Sequence, residues 1–509
     1  MTTLLEQFKA ARGAATPILG IRSMDQAATM KVIVDEVAKL NAEVPLLCWD
    51  LVRGLLGLNE WGMSFVDSLR PTSIDPDEAA ALANAPVLPG PIKVLTEMVK
   101  CIPSKSVIFI LNAHRLLDEA PYAQAVWNCR DQFKGKRTTL ALLGPDFKLP
   151  LQLQPDVIMI DEPHPTRDQL QEIIQRVYDN YKLPKPTEEV LNKCIDAVSG
   201  LSPFTAEQIA FMAAKKELKG IDIEDLRERM RKQVEETPGA SVHRGKDSFT
   251  EIVGLKNLIN NLKRQVKARL QIGCVLFLDE VEKMFAGVAG DLSGVSQEMF
   301  GMLLTWMQTR RVKGIILLGP PGTGKSKVAK CMGNEANVLT IVGDVANMKA
   351  GIIGESTSNL RAFLKMVDAV AGDKTIFVVA TCNNAESLPP ELRRRFKNGI
   401  FFIDLLNEEE REACWKFYMK KYELTDKKRP KDEGWTGAEI EQCCEQAWDL
   451  NLSLVESAET VTPVAEVAKE SIERLRASAH NRYIAASYPG KFQYKGKGQE
   501  VLQQKRAVN

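Results

Sequence analysis

Histidine is scarce in this 509-residue sequence, and its cysteines lack the spacing of a metal site or a disulfide framework. The four histidines lie far apart, at His114, His164, His243 and His480. The ten cysteines are scattered, with one adjacent pair, Cys443 and Cys444, and no C-x-x-C motif. Zinc binding and disulfide crosslinking are therefore not expected. Reduced thiols favour a cytoplasmic location instead.

Long apolar runs and net charge are also missing. No run reaches the roughly 18 residues of a membrane span, and the first residues, MTTLLEQFKAARG, lack the apolar core of a signal peptide. A formal net charge of +1 gives no bulk attraction to nucleic acid. Neither membrane nor nucleic acid is therefore an expected partner. The apolar fraction of 45% and the charged fraction of 26% are typical of a soluble globular protein, and this length predicts two to four domains.

A glycine-rich segment between an apolar run and a helix-like stretch carries the clearest chemistry. It reads Gly319-Pro320-Pro321-Gly322-Thr323-Gly324-Lys325-Ser326. The G-x-x-x-x-G-K-S spacing is that of a phosphate-binding P-loop, in which glycines let backbone N–H groups close around phosphates at a helix N-terminus. Lys325 is expected to reach the β- and γ-phosphates, and Ser326 to ligate Mg²⁺. ATP and Mg²⁺ are thus the predicted ligands, and the flanking strand and helix argue against a chance glycine turn.

A second apolar run, Cys274–Leu278, ends in two acids, Asp279 and Glu280. A buried strand that delivers two carboxylates at its end is a Walker B arrangement. Asp279 is predicted to hold Mg²⁺, directly or through water, and Glu280 to polarise the attacking water. The alternative is an acidic turn after a core strand, which the accompanying P-loop disfavours.

Two further segments fit phosphoryl transfer. The apolar run Thr375–Ala380 leads into Asn383, whose amide could orient the water near the γ-phosphate, although such an Asn is often a turn former. A cationic turn contains Arg394 and Arg395. These arginines are predicted to act on a neighbouring subunit's ATP, and the alternative is a solvated charged face.

The N-terminal half alternates apolar strands with amphipathic helices, which predicts an open α/β sheet with helices on both faces. The predicted strands are Thr16–Ile21, Val44–Trp49, Val107–Leu111, Thr138–Leu143 and Val157–Ile160.

Parts of this half recur in the second half. Val157–Asp161 parallels Phe401–Asp404, and Gly200–Glu207 parallels Gly434–Glu439, which suggests duplicated domains. The first copy has no P-loop and carries Asn112-Ala113-His114 where an active copy would carry acids. Its own acidic pair, Asp161-Glu162, falls on the last strand, away from the phosphate position. The first copy is therefore predicted to be inactive.

These motifs together resemble an AAA+ ATPase of the core AAA clade over residues from about 247 to 450. Ile252–Leu255 is similar to the adenine-contacting loop, Asn383 falls at the sensor-1 position, and Gly437–Glu439 resembles the sensor-2 region. Leu304–Gln308 and Ser387–Leu392 look like the cyanobacterial and plastid AAA+ family with a degenerate N-terminal ATPase domain. The resemblance implies two P-loop-type, RecA-like parallel sheets, the first degenerate, each followed by a small helical lid.

The resemblance also implies a set of nucleotide-binding residues and a domain plan. The nucleotide-binding residues are Val253, Gly254, Pro321, Gly322, Thr323, Gly324, Lys325, Ser326, Lys327, Gly437 and Ala438. The expected domains are a degenerate N-terminal domain over residues 1–235, a linker over 236–246, an ATPase core over 247–405, a lid over 406–455 and a C-terminal helix with a basic tail over 456–509.

The order of the motifs departs from the family. In the family the P-loop precedes the Walker B strand, whereas here Asp279 precedes Lys325; moving residues 272–311 to follow Ala371 would restore the usual order. The family's sheet has the strand order 5-1-4-3-2. In the permuted chain each crossover reaches a strand that is one position, about 4.8 Å, away from the one it reaches in the family, and it keeps its direction along the sheet. The same site is therefore expected to assemble. The pore loop departs as well, with Ile352 at a position where many unfoldases carry an aromatic residue.

The resemblance implies an ATP-hydrolysing homo-oligomer, a hexameric ring, whose N-terminal domain recruits an unknown protein for remodelling or regulation. One alternative is a nucleotide-gated assembly scaffold with incidental turnover. Another is a nucleic-acid motor that uses the basic, aromatic tail Lys491–Lys497, but the near-zero net charge disfavours it.

Overall fold

The computed structural model describes residues 4–70, 86–88, 90–145, 149–162, 164–269, 271–284, 295–344, 355–384, 388–426 and 428–494. The chain divides into two compact units, residues 1–195 with 201–222 and residues 196–200 with 223–509. Within the described ranges, none of the helices has the length and apolar character that crossing a bilayer requires. The predicted pore-loop residue Ile352, as well as Ser387 and the end of the basic tail (495–497), lie outside these ranges.

The first unit is built on a six-stranded sheet with the order β3-β2-β4-β5-β1-β6. Its strands are β1 (Ile18–Arg22), β2 (Leu46–Asp50), β3 (Gly54–Gly57), β4 (Val107–Ile110), β5 (Thr139–Gly144) and β6 (Ile158–Asp161). All neighbours are parallel except β2 and β3, which form a hairpin. The five predicted strands are therefore confirmed. Strand β3 was not predicted, because its glycines give no strand signal.

Helices cover both faces of this sheet, as the alternation of apolar strand residues requires. Along β4, Ile108 and Ile110 join one buried cluster, while Val107 and Phe109 join the other. The first cluster packs against α3–α6 and the second against α1 and α2. These helices are α1 (Leu4–Gly13), α2 (Gln26–Leu40), α3 (Glu60–Ser68), α4 (Pro91–Cys101), α5 (Ala120–Asn128) and α6 (Arg130–Lys136).

A small helical part follows the first sheet. It contains α7 (Arg167–Asn180), α8 (Glu188–Val198), α9 (Pro203–Ala213) and a short antiparallel pair, β7 (Ala214–Lys215) and β8 (Gly220–Ile221). Helix α9 ends at Ala213, and the chain then turns between β7 and β8. The turn there is stabilised by a 2.6 Å ion pair between Lys215 and Asp222 and places Lys219 in a left-handed conformation, with φ 49°.

The second unit is built on a seven-stranded sheet with the order β15-β14-β11-β13-β10-β12-β9. Its strands are β9 (Ala240–Val242), β10 (Ile272–Leu278), β11 (Lys313–Leu318), β12 (Leu339–Gly343), β13 (Thr375–Cys382), β14 (Ile400–Phe402) and β15 (Ile484–Ala485). Every pair is parallel except β12 and β9. Strand β9 falls inside the segment 236–246 that the sequence suggests as a linker, and it pairs at the sheet edge.

The two sheets share one spatial order although their chain orders differ. In space β6-β1-β5-β4-β2 of the first unit matches β14-β11-β13-β10-β12 of the second. The first unit reaches these positions in the usual chain order, whereas in the second the strand ending in Asp279 is made before the P-loop strand. As predicted, β13 lies between β10 and β11. The chain enters β10 beside the start of β13, where Thr375 N donates to Gln271 O at 2.9 Å.

The helices of the second unit cover both faces of its sheet, and one of them connects β10 directly to β11. Helices α11 (Lys256–Val266) and α13 (Lys325–Ala336) pack on one face of the sheet, and α14 (Glu355–Ala371) on the other. Helix α12 (Val295–Thr309), which connects β10 to β11, packs on α14. Trp306 Nε1 donates to Asp368 Oδ1 there at 2.8 Å. Helix α10 (Ile223–Glu235) precedes the sheet, and the one-turn α15 (Pro390–Arg393) follows β13.

A second helical part, called the lid, follows β14. It comprises α16 (Glu408–Lys421), α17 (Gly437–Asp449) and α18 (Leu454–Ala458), which enclose a core around Trp415, Trp435 and Cys444. Helices α19 (Val464–Val467) and α20 (Lys469–Ala479) then lead to β15 at the sheet edge. Each sheet is thus followed by helices, which confirms the predicted fold class.

Candidate active site

The loop between β11 and α13 has the backbone that phosphate binding requires. Gly322 and Gly324 have φ values of 75° and 85°, in the left-handed region that favours glycine. A Cβ at Gly322 would lie 2.7 Å from Thr436 Oγ1, so a side chain there would collide with the start of α17. The same approach lets Ala438 N donate to Gly322 O at 3.3 Å. The P-loop and the lid therefore meet at Gly322.

Lys325 opens α13 and is buried beneath this loop. Its Nζ donates to the carbonyl oxygens of Gly319 and Pro320 at 2.8 and 2.6 Å. Burial lowers the pKa of Lys325 to about 8, although the nearby carboxylates of Glu282, Asp279 and Glu280 act in the opposite direction. The ammonium is thus held by weak neutral acceptors, which a phosphate could replace.

Asp279 and Ser326 come together across the edge of the sheet. Ser326 Oγ lies 3.2 Å from Asp279 Oδ1, and Thr381 Oγ1 also donates to that oxygen. In an octahedral Mg²⁺ site with bonds of 2.0–2.1 Å, neighbouring ligand oxygens are about 2.9 Å apart. The Ser326 and Asp279 oxygens therefore fit the edge of such a site, and both are ligand types that Mg²⁺ accepts.

Glu280 is fixed by contacts on its backbone and on its carboxylate. Its φ is 45°, and its N–H donates to Thr381 Oγ1 at 2.8 Å. Asn383 Nδ2 donates to Glu280 Oε1 at 2.9 Å, and Lys283 pairs with Oε2. The hydrogen bond from Lys283 lowers the pKa of Glu280, so the carboxylate is ionised at neutral pH. An ionised carboxylate beside an amide is a suitable pair for orienting water.

Glu282 holds the backbone of Asn383, the residue that contacts Glu280. Asn383 N donates to Glu282 Oε1 at 2.9 Å, while Glu282 Oε2 is buried with no hydrogen-bond partner in the described part of the chain. Burial raises the pKa of the adjacent Cys382 thiol, and Glu282 adds to the shift. Cys382 is therefore a neutral thiol rather than a nucleophile.

A cavity of about 380 Å³ extends from the P-loop to the lid, within the range of small-molecule sites. Its lining residues are Glu251, Ile252, Val253, Leu255, Asp279, Glu280, Pro321–Lys327, Thr381, Asn383, Leu406, Cys414, Tyr418, Gly437, Ala438 and Glu441. Most of the binding residues predicted from the sequence therefore line this one cavity. Gly254 does not line it; a Cβ there would lie 3.1 Å from Glu410 Oε1.

The predicted arginines lie elsewhere. Arg394 and Arg395 follow α15 and do not line the cavity of their own chain. Arg394 is exposed, whereas Arg395 is half-buried, and its Nε is enclosed with no hydrogen-bond partner among the described residues. The structure therefore does not bring these two residues to the P-loop of the same chain.

Several residues of the cavity were missed in the sequence. Thr381 lies at the end of the apolar run of β13, two residues before Asn383. A hydroxyl at the end of a buried strand was therefore the sequence feature that could have identified it as a site residue. Cys414, Tyr418 and Glu441 belong to lid helices, where their spacing reads as ordinary helix packing. Lys327, which was predicted, contacts the lid as well: its Nζ lies 5.8 Å from the centroid of the Tyr418 ring.

The matching corner of the first unit is closed by its own side chains. The β1–α2 connection has three residues, and Asp25 Oδ1 accepts a hydrogen bond from Ala28 N, which caps the helix where a phosphate would bind. Gln26 and Asn112 exchange two hydrogen bonds of 3.0 and 2.8 Å. Leu111 directly follows β4 as Asp279 directly follows β10, one residue before the Asn112-Ala113-His114 segment to which the sequence assigns the missing acids. This corner is therefore degenerate, as predicted.

Comparisons with known proteins agree with this geometry. The family described as "SpoVK-like AAA ATPase, N-terminal domain" matches residues 4–162, and "ATPase family associated with various cellular activities (AAA)" matches residues 315–372. The second match starts in the P-loop strand and ends at Gly372, next to Ala371, where the displaced Walker B segment would follow in the usual order.

Three relatives extend these matches. The "Uncharacterized AAA domain-containing protein ycf46" of Guillardia theta is 24% identical over 442 residues, which covers 72% of this chain and 78% of the relative. The protein of the same name from Trieres chinensis is 22% identical over 487 residues, with 84% of each chain covered. The "Cell division cycle protein 48 homolog" of Archaeoglobus fulgidus is 26% identical over 213 residues, with 32% of this chain and 28% of the relative covered.

The P-loop sheet and these matches define an AAA+ ATPase. Within that class the chain resembles the plastid AAA proteins represented by ycf46, and its residues 4–162 match the N-terminal domain of SpoVK-like AAA ATPases. It differs from the usual order of the class in that its Walker B segment precedes its P-loop.

Proposed function

We propose that this ATPase forms a hexameric ring that remodels or regulates a partner protein as ATP is hydrolysed. The observation that carries the catalytic part is a continuous hydrogen-bonded set, Ser326–Asp279–Thr381–Glu280–Asn383, at the ends of β10 and β13 and the start of α13. This set faces the P-loop across one cavity. It combines two hydroxyls, two carboxylates and an amide, which suits phosphoryl transfer to water.

Binding is assigned to the P-loop and the lid. Backbone N–H groups of 322–326 and the N-terminus of α13 would surround the phosphates. Lys325 would exchange its two carbonyl acceptors for the β- and γ-phosphates. Val253, Gly254, Lys327, Gly437 and Ala438 are assigned to the nucleoside side, since all but Gly254 line the cavity beyond the P-loop.

Catalysis is assigned to the residues around Glu280. Glu280 would accept a proton from the attacking water, and the Asn383 amide would fix the direction of the carboxylate. Thr381 would keep Asp279 and Glu280 in register, because its hydroxyl donates to one and accepts from the other. Ser326 and Asp279 would hold Mg²⁺, directly or through water. When bound, this ion neutralises charge on the phosphate oxygens.

A ring is supported by the separation of the arginines from the cavity of their own subunit. In a closed ring, Arg394 and Arg395 of one subunit would face the γ-phosphate of the next, where a cation stabilises charge on the transferred group. The names of similar proteins, such as the Cell division cycle protein 48 homolog, support action on other proteins. The first unit, with its closed pseudo-site, is proposed to recruit the partner.

The proposed location is the cytoplasm. All ten cysteines are free, and nine of them are buried, which supports a reducing compartment.

The deciding experiment is the Glu280→Gln variant of the full chain. We expect it to bind ATP with unchanged affinity and to hydrolyse it at least ~100-fold more slowly, because the amide cannot accept the proton. Glu335→Gln, an exposed change near the end of α13, is the matched control and should retain the wild-type rate. Wild-type turnover in Glu280→Gln would refute the assignment.

The same variant separates remodelling from a nucleotide-gated scaffold. Bound partner proteins should accumulate on the ATP-loaded Glu280→Gln chain, and a captured partner should stimulate the wild-type ATPase rate. A partner that binds but leaves the rate unchanged would favour the scaffold. Stimulation by DNA or RNA alone would favour a nucleic-acid motor.

A further inference from the structure

Glu441 lies on the wall of the nucleotide cavity, but neither a motif nor the P-loop accounts for it. It belongs to α17, whose start is placed against the P-loop by the Ala438 N to Gly322 O hydrogen bond of 3.3 Å. Glu441 follows Ala438 by three residues, about 4.5 Å along the axis of the helix, and both line the same cavity as the P-loop.

Two neighbours hold the Glu441 carboxylate. Lys421 Nζ lies 2.7 Å from Glu441 Oε1, and the Tyr418 hydroxyl is close enough to the same carboxylate for Glu441 to raise the pKa of Tyr418. Burial raises the pKa of Tyr418, so its phenol stays protonated. Lys421 also lies over the Tyr418 ring, 5.5 Å from its centroid. A carboxylate can accept about four hydrogen bonds, so these two partners leave room for a ligand.

The residues around Glu441 indicate which part of a bound nucleotide it would contact. The walls near Glu441 are largely apolar, with Leu406, Cys414 and Ala438, and suit the faces of a base. Glu251, another acid that lines the cavity, already has a cation as its partner, since its Oε2 lies 3.6 Å from Lys327 Nζ. In a nucleotide whose phosphates occupy the P-loop, the sugar hydroxyls come a few ångströms after the α-phosphate, and the base lies further away. Glu441, which lines the cavity about one helical turn after the contact of Ala438 with the P-loop, is therefore placed near the sugar.

We propose that Glu441 accepts hydrogen bonds from the ribose hydroxyls of the nucleotide and so selects ribonucleotides over deoxyribonucleotides. Lys421 and Tyr418 act as positioning residues that fix the carboxylate. A carboxylate is suited to this role, because both of its oxygens can accept from the two neighbouring hydroxyls, as acidic residues do in dinucleotide-binding sites. This proposal rests on the proposed nucleotide site.

The test is equilibrium binding of ADP, 2′-deoxy-ADP and GDP to the full-length protein, because diphosphates avoid turnover. The wild-type chain should bind ADP about tenfold more tightly than 2′-deoxy-ADP, as expected for one lost charge-assisted hydrogen bond. Glu441→Ala should weaken ADP binding about a hundredfold, because both hydroxyl contacts are lost, and 2′-deoxy-ADP binding about tenfold, because its 3′-hydroxyl contact is lost, so that the preference disappears. Glu445→Ala, which removes an exposed acid one turn further along α17, should leave all three affinities unchanged.

Other outcomes would overturn the proposal. Equal weakening of ADP and 2′-deoxy-ADP would mean a general effect on the lid, and a lost preference for ADP over GDP would mean a base contact. Glu441→Gln preserves the shape of the side chain and guards against misfolding of the alanine variant; wild-type selectivity for ADP over 2′-deoxy-ADP in both variants would also refute it. A wild-type chain that binds no nucleotide would instead refute the proposed function.

Discussion

The hydroxyl of Thr381 donates a hydrogen bond to the carboxylate of Asp279, although 102 positions separate the two residues in the chain. Parallel pairing of β10 with β13 brings them together, since Leu278 lies opposite Ala380 in the register. The same hydroxyl accepts from Glu280 N–H at 2.8 Å. One fully buried side chain thus fixes both acids relative to the central strand.

Replacing Thr381 by valine keeps the shape of the side chain and removes both hydrogen bonds. We expect the hydrolysis rate to fall about 10–100-fold, as is common when a supporting partner of a metal-binding residue is lost. Nucleotide affinity should change little, because the P-loop is untouched. Steady-state kinetics and ADP binding by calorimetry provide the measurements. Thr375→Val, at the other end of β13, is the control, and equal loss in both variants would contradict the role of Thr381.

Nucleotide binding should depend on pH through Lys325. Its pKa is about 8 in the free protein and should rise when phosphate pairs with the ammonium. Below pH 8 the lysine is already charged, so affinity should be constant. Above pH 8 binding must take up a proton, and affinity should fall up to about tenfold per pH unit.

Calorimetry with ADP between pH 7.5 and 9.5, in buffers of different ionisation enthalpy, measures both the affinity and the proton uptake. Lys325→Arg is the control: its guanidinium stays charged throughout this range, so its weaker binding should not vary with pH. A wild-type affinity that is flat to pH 9.5 would show that Lys325 does not carry the phosphate interaction.

The arginines should act across a subunit interface. A chain with Arg395→Ala and a chain with Lys325→Ala should each be inactive alone. A mixture should recover part of the ATPase rate, because some interfaces then combine an intact P-loop with an intact Arg395. Lys397→Ala, an exposed cation on the same turn, should retain activity by itself. If light scattering shows mixed rings without recovered activity, Arg395 belongs to a solvated charged surface instead.

Each chain should bind one nucleotide. In the first unit, Asp25 caps the helix and Gln26 is hydrogen-bonded to Asn112, so the described residues of this corner leave no room for a phosphate. The full-length Lys325→Ala variant should therefore lose all detectable ADP binding. Gln26→Ala should keep a stoichiometry of one. Micromolar binding that survives in Lys325→Ala would reveal a second site and contradict this expectation.

Much of the fold could be predicted because its signals are local. Five strands of the first sheet are apolar runs bounded by polar segments, and the order of the second sheet follows from the family resemblance. The missed elements are short strands at or near sheet edges, such as β3 and β9, where pairing with a neighbour rather than propensity decides the conformation.

The site was predictable to the extent that its residues fall in compact motifs. Lys325, Ser326, Asp279 and Glu280 occur in fixed local patterns whose chemistry is known. Thr381, Tyr418 and Glu441 reach the cavity only through pairing of distant strands and packing of the lid, which no spacing in the sequence records. The contact of Lys283 with Glu280 is local, but a lysine after an acidic turn reads as an ordinary surface charge.

The displaced position of β10 changes how the second sheet can form during synthesis. When β10 leaves the ribosome, neither of its neighbours exists: β12 follows about 60 residues later and β13 about 100, which corresponds to roughly 3–20 s at typical elongation rates of about 5–20 residues per second. Strand β11 also waits for β13. Both apolar strands that carry the catalytic motifs therefore emerge unpaired and exposed to aggregation, and they can be joined in one sheet only after β13, which ends at Cys382, has been made.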